Sequence, residues 1–282
     1  MPSHNLEYPK QPYSTVNRYG HRASYSLETI HQIINTCPVL HVSFAAEAPG
    51  PGSSSDPDSA FPAILPMIGQ MGSFARPSAD VGDVLDLYLH GYVSSRMVNR
   101  ARSAGAESEG EGNDKKKGLP LTVAATHVDG LVLSLTPYSH SYNYRSAVLF
   151  GHAEVVTGPA EKLWAMELIT NSVVRDRWRH TRVPPTGAEM QSTSILRVAI
   201  AGGSAKVQRS PPSDAKADLA DAELTARVWT GIVPLHLTAA EPVPIPAGNG
   251  GDAKKVPPYL REYVDGLNQS AREMALEVAE GG

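Results

Sequence analysis

At 282 residues the chain is long enough for one large domain or two small ones, with a full hydrophobic core. Its formal charge of −4 leaves no basic footprint for nucleic acid, and its one basic run, Lys115–Lys117, sits beside an acidic stretch as a solvated loop would. The single cysteine, Cys37, excludes an intrachain disulfide and a cysteine-based zinc site. The absence of an apolar run of about 18 residues and of a signal pattern at the N-terminus predicts a soluble cytoplasmic protein with no nucleic-acid or membrane partner.

Residues 1–25 read as an extended, tyrosine-rich arm with Pro2, Pro9 and Pro12. Ser26 is placed to cap a helix that has Glu28 in its first turn. Leu27, Ile30, Ile33 and Ile34 share one face of it, and Pro38 ends it. Residues 39–44 alternate as a strand, and 48–60 form a Pro/Gly/Ser/Asp loop expected to be disordered. Strand character resumes over 63–70, where Pro66 marks an edge, a bulge or an end. Val84 to Leu89 alternates clearly. A short helix is expected over about 94–103, followed by a low-complexity insertion at 104–118. Residues 121–126 and 131–135 predict a hairpin that turns at Asp129-Gly130.

The run 146–156 is the longest strand candidate. Ala147, Gly151 and Ala153 share one of its faces, and such a face admits another backbone or a flat ligand. Pro159 and Glu161 open a helix whose stripe of Leu163, Met166, Ile169 and Val173 reads as core packing. A strand over 194–207 with a bulge or bend at Gly202-Gly203, a polar stretch at 208–226 and a strand over 228–238 follow. A proline-rich linker and a terminal helix over 259–278 end the chain. About seven strands joined by hairpins predict a mainly β protein with peripheral helices, an antiparallel barrel or sandwich. The expected organisation is an arm at 1–25, a barrel domain at 26–246 with insertions near 48–60 and 104–118, and a linker and helix at 247–282.

Two short polar clusters follow strand-like runs and carry the chemistry. One is His90, Ser94, Ser95 and Arg96; the other is Tyr144, Arg145 and Ser146. A helix starting near Ser94 offers unpaired N–H groups and a positive dipole end to a phosphate, the serines add hydroxyl donors, and an arginine adds a charged fork. A serine cap with a surface arginine has the same sequence, so both readings stand at this point. Lys206 either reaches a ligand or faces solvent. His127, His140, His152 and His236 show no metal-ligand spacing, and no metal site is expected. No G-x-G-x-x-G or Walker motif and no convincing triad is present, so no catalytic residue is named.

The order of these pieces resembles the pyridoxamine 5′-phosphate oxidase-like superfamily of FMN-binding split β-barrels. It is most similar to the flavin-nucleotide-binding branch that includes nitroimidazole-resistance-type proteins. The resemblance runs from about Arg18 to Leu235. It is carried by Asn17–Tyr25, Ile64–Met67, Tyr88–Gly91, Asn143–Gly151, Ser204–Val207 and Val228–Pro234. It implies an antiparallel split β-barrel and a homodimer holding FMN in grooves at the subunit interface.

On the same resemblance, Pro66 and Met67 would line the flavin ring through their backbone, and His90, Ser94, Ser95 and Arg96 would sit near the phosphate. Tyr144, Arg145 and Ser146 would complete the groove, and Trp229 would border the ring from its own or the partner subunit. Where the vitamin B6 oxidases carry a tryptophan-arginine-leucine-x-proline signature, this chain has Trp229-Thr230-Gly231-Ile232-Val233-Pro234, which argues against pyridoxamine phosphate as substrate.

The implied function is an FMN-dependent oxidoreductase passing hydride or electrons between a nicotinamide donor and a small organic substrate, with Tyr144 and His90 as candidate proton partners. The alternatives are a non-catalytic flavin carrier or sensor and a haem-binding or haem-degrading barrel, for which His21, His90 or His140 could be the axial ligand. The arm, and Leu260, Val264 and Leu267 on the terminal helix, need an apolar surface to cover. A second subunit or the barrel's own flank would provide it.

Overall fold

Buried and exposed side chains alternate along most strands of this chain, as they do when a sheet has one face on a core. The computed structural model describes residues 6–45, 61–108, 118–245 and 255–280. In chain order the elements are β1 (Ala23–Ser24), α1 (Leu27–Thr36), β2 (Leu40–Phe44), β3 (Ala63–Met67), β4 (Gly69–Gly72), β5 (Asp86–Tyr92) and α2 (Arg96–Ser108). Then follow β6 (Leu119–Leu133), β7 (Ser141–Val155), α3 (Pro159–Val173), α4 (Gly187–Ser192), β8 (Thr193–Gln208), α5 (Lys216–Ala220), α6 (Ala222–Arg227), β9 (Gly231–Pro234) and α7 (Pro258–Ala279).

The nine strands form an antiparallel sheet in the order β3-β2-β6-β7-β8-β5-β4, with β1 on β8 and β9 on β6. The order does not close on itself, which is the open arrangement of a split β-barrel. β3 is at one end of the order, so Pro66 lies on an edge strand, where a missing N–H costs no ladder bond on the outer side. The chain divides into two units, residues 1–126 with 146–206, and residues 127–145 with 207–282. The expected loop at 48–60, residues 109–117 of the expected insertion and the linker at 247–254 lie outside the described residues.

In the first unit, Ser26 caps α1 as its sequence predicts, accepting the Thr29 N–H at 3.5 Å, and Ile30, Ile33 and Ile34 are buried. The arm packs into this unit and is not free of it. Tyr8, Ser14 and Tyr25 are buried, and the Leu27 N–H donates to the Leu6 carbonyl at 2.9 Å. The deepest tie is a fully buried histidine. The Tyr8 hydroxyl lies 2.6 Å from His31 Nε2, and His31 Nδ1 lies 2.8 Å from the Val81 carbonyl. A carbonyl only accepts, so Nδ1 carries the proton and Nε2 accepts from Tyr8.

On α3, Ala165 and Ile169 are buried, with Trp164, Met166 and Leu168 packed against the same cluster. The expected stripe is displaced, since Leu163 and Val173 are exposed. Trp164 takes the place of that stripe, with its ring centroid 5.0 Å from that of Tyr88 and 5.8 Å from that of Phe74. The small face of β7 meets protein, not a ligand. A Cβ at Gly151 would lie 2.6 Å from the Ala199 carbonyl oxygen of β8.

The Asp129-Gly130 turn is not formed. β6 runs unbroken through both residues, and the chain reverses at 134–140, around a 3₁₀ turn over Pro137–Ser139. In the second unit, an arginine from β7 holds Asp129, and Gly130 lets β9 come close. A Cβ at Gly130 would lie 3.0 Å from Ile232 Cγ2. Local turn preference yields here to cross-strand pairing. The helix expected over 94–103 spans 96–108, and the last strand shortens from 228–238 to 231–234. α7 packs on β9, buries Ala275 and Val278, and exchanges both amide bonds of Asn268 with the backbone of Ala239. The flank of its own unit therefore covers part of that helix. Among the described residues, no helix is long and apolar enough to cross a membrane.

Burial holds His31 neutral, lowering its pKa from the ordinary 6.5 to about 4. The unfolded chain therefore binds a proton that the folded chain refuses, and stability falls as pH drops from 6.5 towards 4, by on the order of 2–3 kcal/mol from this group. Urea midpoints measured across that window are expected to decline more steeply for the wild type than for His31→Gln.

Candidate functional site

In the first unit, the end of β3 meets the end of β5. Pro66 and Met67 pair with His41 and Leu40 of β2, and immediately beyond them the Ile68 carbonyl accepts the His90 N–H at 3.2 Å. The Met67 methyl lies 3.9 Å from the point where a Cβ on Gly91 would stand. Residues 66–68 and 90–91 thus form one backbone ledge on which Gly91 has no side chain to keep a flat ring from the main chain. The His90 ring is exposed by area and has no side-chain partner among the described residues. Nevertheless, the surrounding protein lowers its pKa by desolvation.

After Tyr92 the chain turns into α2. Ser95 is the cap. Its N–H donates to the Tyr92 carbonyl at 2.9 Å, its hydroxyl accepts the Val98 N–H at 3.4 Å, and its carbonyl accepts the Asn99 N–H at 3.0 Å. The turn is tied again by Arg102, which donates to the Val93 carbonyl at 2.9 Å, and by the Asn99 amide, which donates to the Ser94 carbonyl at 3.4 Å. Arg96, the first residue of the helix, is exposed, as is Ser94. Neither side chain has a partner among the described residues. The start of this 13-residue helix therefore presents free N–H groups, a positive dipole end, a hydroxyl and a guanidinium to solvent. Ser146 of the same unit donates through Oγ to the Lys206 carbonyl at 3.1 Å.

Tyr144, Arg145 and Trp229 belong to the second unit. Arg145 is committed to a partner that sequence reasoning assigned to a turn. Its Nε and Nη2 donate to the two carboxylate oxygens of Asp129, each at 2.9 Å, with side-chain exposures of 18% for Arg145 and 5% for Asp129. A guanidinium forked onto a buried carboxylate keeps only its remaining edge for a ligand. Tyr144 is half-buried. Trp229 is exposed and lies just outside β9, with its ring over Gly231, where a Cβ would stand 2.7 Å from Cη2. Asn143 is fully buried and was not singled out in the sequence. Its Oδ1 accepts the Ser210 N–H at 3.1 Å, and its Nδ2 has no partner among the described residues.

A second polar cluster in the first unit also escaped sequence reasoning. Arg197 of β8 contacts Glu154 at 3.1 Å and Glu161 at 3.4 Å, and the Tyr88 hydroxyl donates to Glu161 at 2.9 Å. Arg197, Glu154 and Glu161 line a cavity of about 130 Å³ with Val155, Val156 and Thr157. Burial raises the pKa of nearby Asp86. Only the pairing of β5 with β8 brings Tyr88 opposite Arg197, so no spacing along the chain announces the cluster.

The family model described as pyridoxamine 5′-phosphate oxidase matches residues 26–207. No curated protein matches the chain. Among solved structures, the flavocytochrome Anf3 from Azotobacter vinelandii is 22% identical. It covers 90% of this chain and 97% of its own, with a TM-score of 0.65. The FAD and haem binding protein from Mycobacterium smegmatis is 26% identical and covers 86% of this chain and 97% of its own, with a TM-score of 0.63. A putative 5-nitroimidazole antibiotic resistance protein from Bacteroides thetaiotaomicron is 16% identical, with coverages of 66% and 86% and a TM-score of 0.43.

Removing one partner of the Arg145–Asp129 pair leaves the other charge buried and alone. Arg145→Met is expected to cost about 3–5 kcal/mol, and the double substitution Asp129→Asn with Arg145→Met to recover much of that. Urea denaturation of the single and double variants measures both.

Proposed function

Because the chain belongs to the pyridoxamine 5′-phosphate oxidase family, we propose that it is a flavoprotein that binds FMN and passes hydride or electrons between a nicotinamide donor and a small organic substrate. The observation that carries this reading is the juxtaposition, in one unit and along one continuous stretch of chain, of the Met67–Gly91 ledge and the open start of α2. A flavin nucleotide is a flat ring joined to a phosphate, and these are the two surfaces it needs.

The residues present fit that group. A Cβ at position 91 would stand within 3.4 Å of a Val98 methyl, so glycine keeps the ledge thin. Arg96 and Ser94 have donors to spare for a phosphate, and Ser95 supports them as the helix cap. When bound, the flavin supplies the redox chemistry, and the chain orients it and excludes water. Pro66 and Met67 would bear on the ring, and His90 beside them would remain neutral at pH 7, free to accept or give a hydrogen bond. Tyr144, Arg145, Ser146 and Trp229 enter the reading through the family resemblance alone. In this reading the protein is a cytoplasmic homodimer with its cofactor at the subunit interface, and it acts without nucleic acid or membrane.

A second reading, with FAD and haem in place of FMN, draws on the 26% identity to the Mycobacterium smegmatis protein. His140 has a feature an axial ligand needs. Its Nδ1 accepts the Ser134 N–H at 3.3 Å, which fixes the ring and leaves Nε2 as the other nitrogen.

The visible spectrum of the purified protein, before and after addition of FMN or FAD and removal of the excess, tests both readings. Paired flavin bands that survive, and that bleach with a nicotinamide donor, are the expected result. Arg96→Ala is expected to weaken FMN binding at least about tenfold, the equivalent of one charge-assisted hydrogen bond. A colourless protein that retains neither flavin overturns the cofactor assignment, and a Soret band substitutes the second reading. Sizing chromatography of the full chain is expected to give a dimer.

A further inference from the structure

A phenol that is only 1% exposed meets a carboxylate through its hydroxyl and an indole through its ring. The Tyr88 hydroxyl donates to Glu161 at 2.9 Å, and the Tyr88 ring centroid lies 5.0 Å from that of Trp164, edge to face. Both partners come from α3, one turn apart, so a single helix sets a proton acceptor and a second ring against the same tyrosine. Trp164 is half-buried and lies 5.8 Å from the exposed ring of Phe74. The rings therefore lead from the surface to a buried hydroxyl.

The fold makes room for this arrangement and holds it. A Cβ at Gly72 of β4 would lie 3.0 Å from Trp164 Cη2 and 2.8 Å from Leu168 Cδ2, so only a glycine there leaves space for the indole. Arg197, the partner of Tyr88 across β5 and β8, contacts Glu161 at 3.4 Å and Glu154 at 3.1 Å, which fixes the acceptor. The other two tryptophans, Trp178 and Trp229, have no aromatic ring contact among the described residues.

Burial sets the chemistry. It raises the pKa of the Tyr88 hydroxyl, and the hydrogen bond to Glu161 raises it further, so the phenol stays protonated. Removing an electron from such a phenol leaves a positive charge in low-dielectric surroundings unless the proton departs as well. Glu161 stands at hydrogen-bond distance to take that proton. A backbone carbonyl in its place would accept the hydrogen bond but would not keep the proton.

We propose that Trp164, Tyr88 and Glu161 form a proton-coupled one-electron relay between the surface and the interior of β5. A small oxidising radical at the surface takes one electron from Trp164, which releases its indole N–H proton to solvent. The indole radical then takes one electron from Tyr88 and one proton from solvent, while the Tyr88 O–H bond breaks and its proton passes to Glu161. Trp164 is restored, and a tyrosyl radical and a protonated Glu161 remain, so electrons and protons balance. The inner end of the relay lies two residues, about 7 Å along the strand, from His90 on the same face. That the ledge at His90 holds a one-electron donor rests on the flavin reading; the transfer between Trp164 and Tyr88 does not.

Pulse radiolysis with the azide radical, which oxidises tryptophan, tests this in the full chain carrying Trp178→Phe and Trp229→Phe, in samples free of flavin by absorbance. The tryptophanyl band is expected to decay as the tyrosyl band grows, at a rate independent of protein concentration and slower in D2O. Tyr88→Phe is expected to abolish the growth, and Glu161→Gln to slow it about a hundredfold, as the loss of a positioned proton acceptor does. Tyr88→Phe keeps the ring and its packing, and the isotope effect is read with Tyr88 and Glu161 both intact, so neither result depends on the fold of the Glu161 variant. The relay is overturned if no tyrosyl band grows, if the growth persists unchanged in Tyr88→Phe, or if neither D2O nor Glu161→Gln alters its rate.

Discussion

A carboxylate with 5% of its side chain exposed, in the interior of a 15-residue strand, is tolerable only if a cation meets it with good geometry. Asp129 is met on both oxygens by Arg145. This pair decides several features together. It keeps β6 running straight where its residues favour a turn, and it fixes β7 beside it. It also determines that the guanidinium at position 145 serves the fold first. Side chains alternate along a strand, so Tyr144 is turned away from the face on which Arg145 is spent. Any ligand role for this stretch falls to the hydroxyls more than to the arginine.

The same economy of charge runs through the first unit. Arg197 gathers Glu154 and Glu161, with Tyr88 donating to Glu161, and His31 is held neutral between Tyr8 and the Val81 carbonyl. In the second arrangement both ring nitrogens of His31 are used, which leaves neither for a ligand. The start of α2 differs, since Arg96 and Ser94 are exposed there and neither side chain has a partner among the described residues. An exposed guanidinium and hydroxyl at the start of a 13-residue helix, beside unpaired N–H groups, distinguish this candidate binding surface from the structural ion pairs.

The helices take up positions that serve the strands. α1 is anchored by the buried tie between His31 and the arm, α3 lays Trp164 and Ile169 against Tyr88, and α7 closes over β9. None of them carries a residue of the candidate ledge. That ledge depends instead on edge strand β3, whose ladder with β2 runs through Pro66 to Met67, and on a glycine in β5 that leaves room for the Met67 methyl.

Local chemistry was legible in the sequence. Ser26 and the isoleucines that follow it specify α1, alternation specifies most strands, Pro66 marks an edge, and the ordered motifs point to the split barrel, because each of these depends on residues within one or two turns or along one strand. Pairings across long sequence separations were not legible. Asp129-Gly130 reads as a turn until Arg145 and β9 are placed beside it. The stripe on α3 reads as core until Trp164 is seen to occupy the surface facing Tyr88. Tyr88 and Arg197 are unrelated along the chain until β5 pairs with β8. The sequence by itself determined which segments become strands and helices. The tertiary structure decided which charges are spent in holding those segments together and which remain for a ligand, because that depends on Coulomb and hydrogen-bond contacts a few ångströms long between residues far apart in the chain.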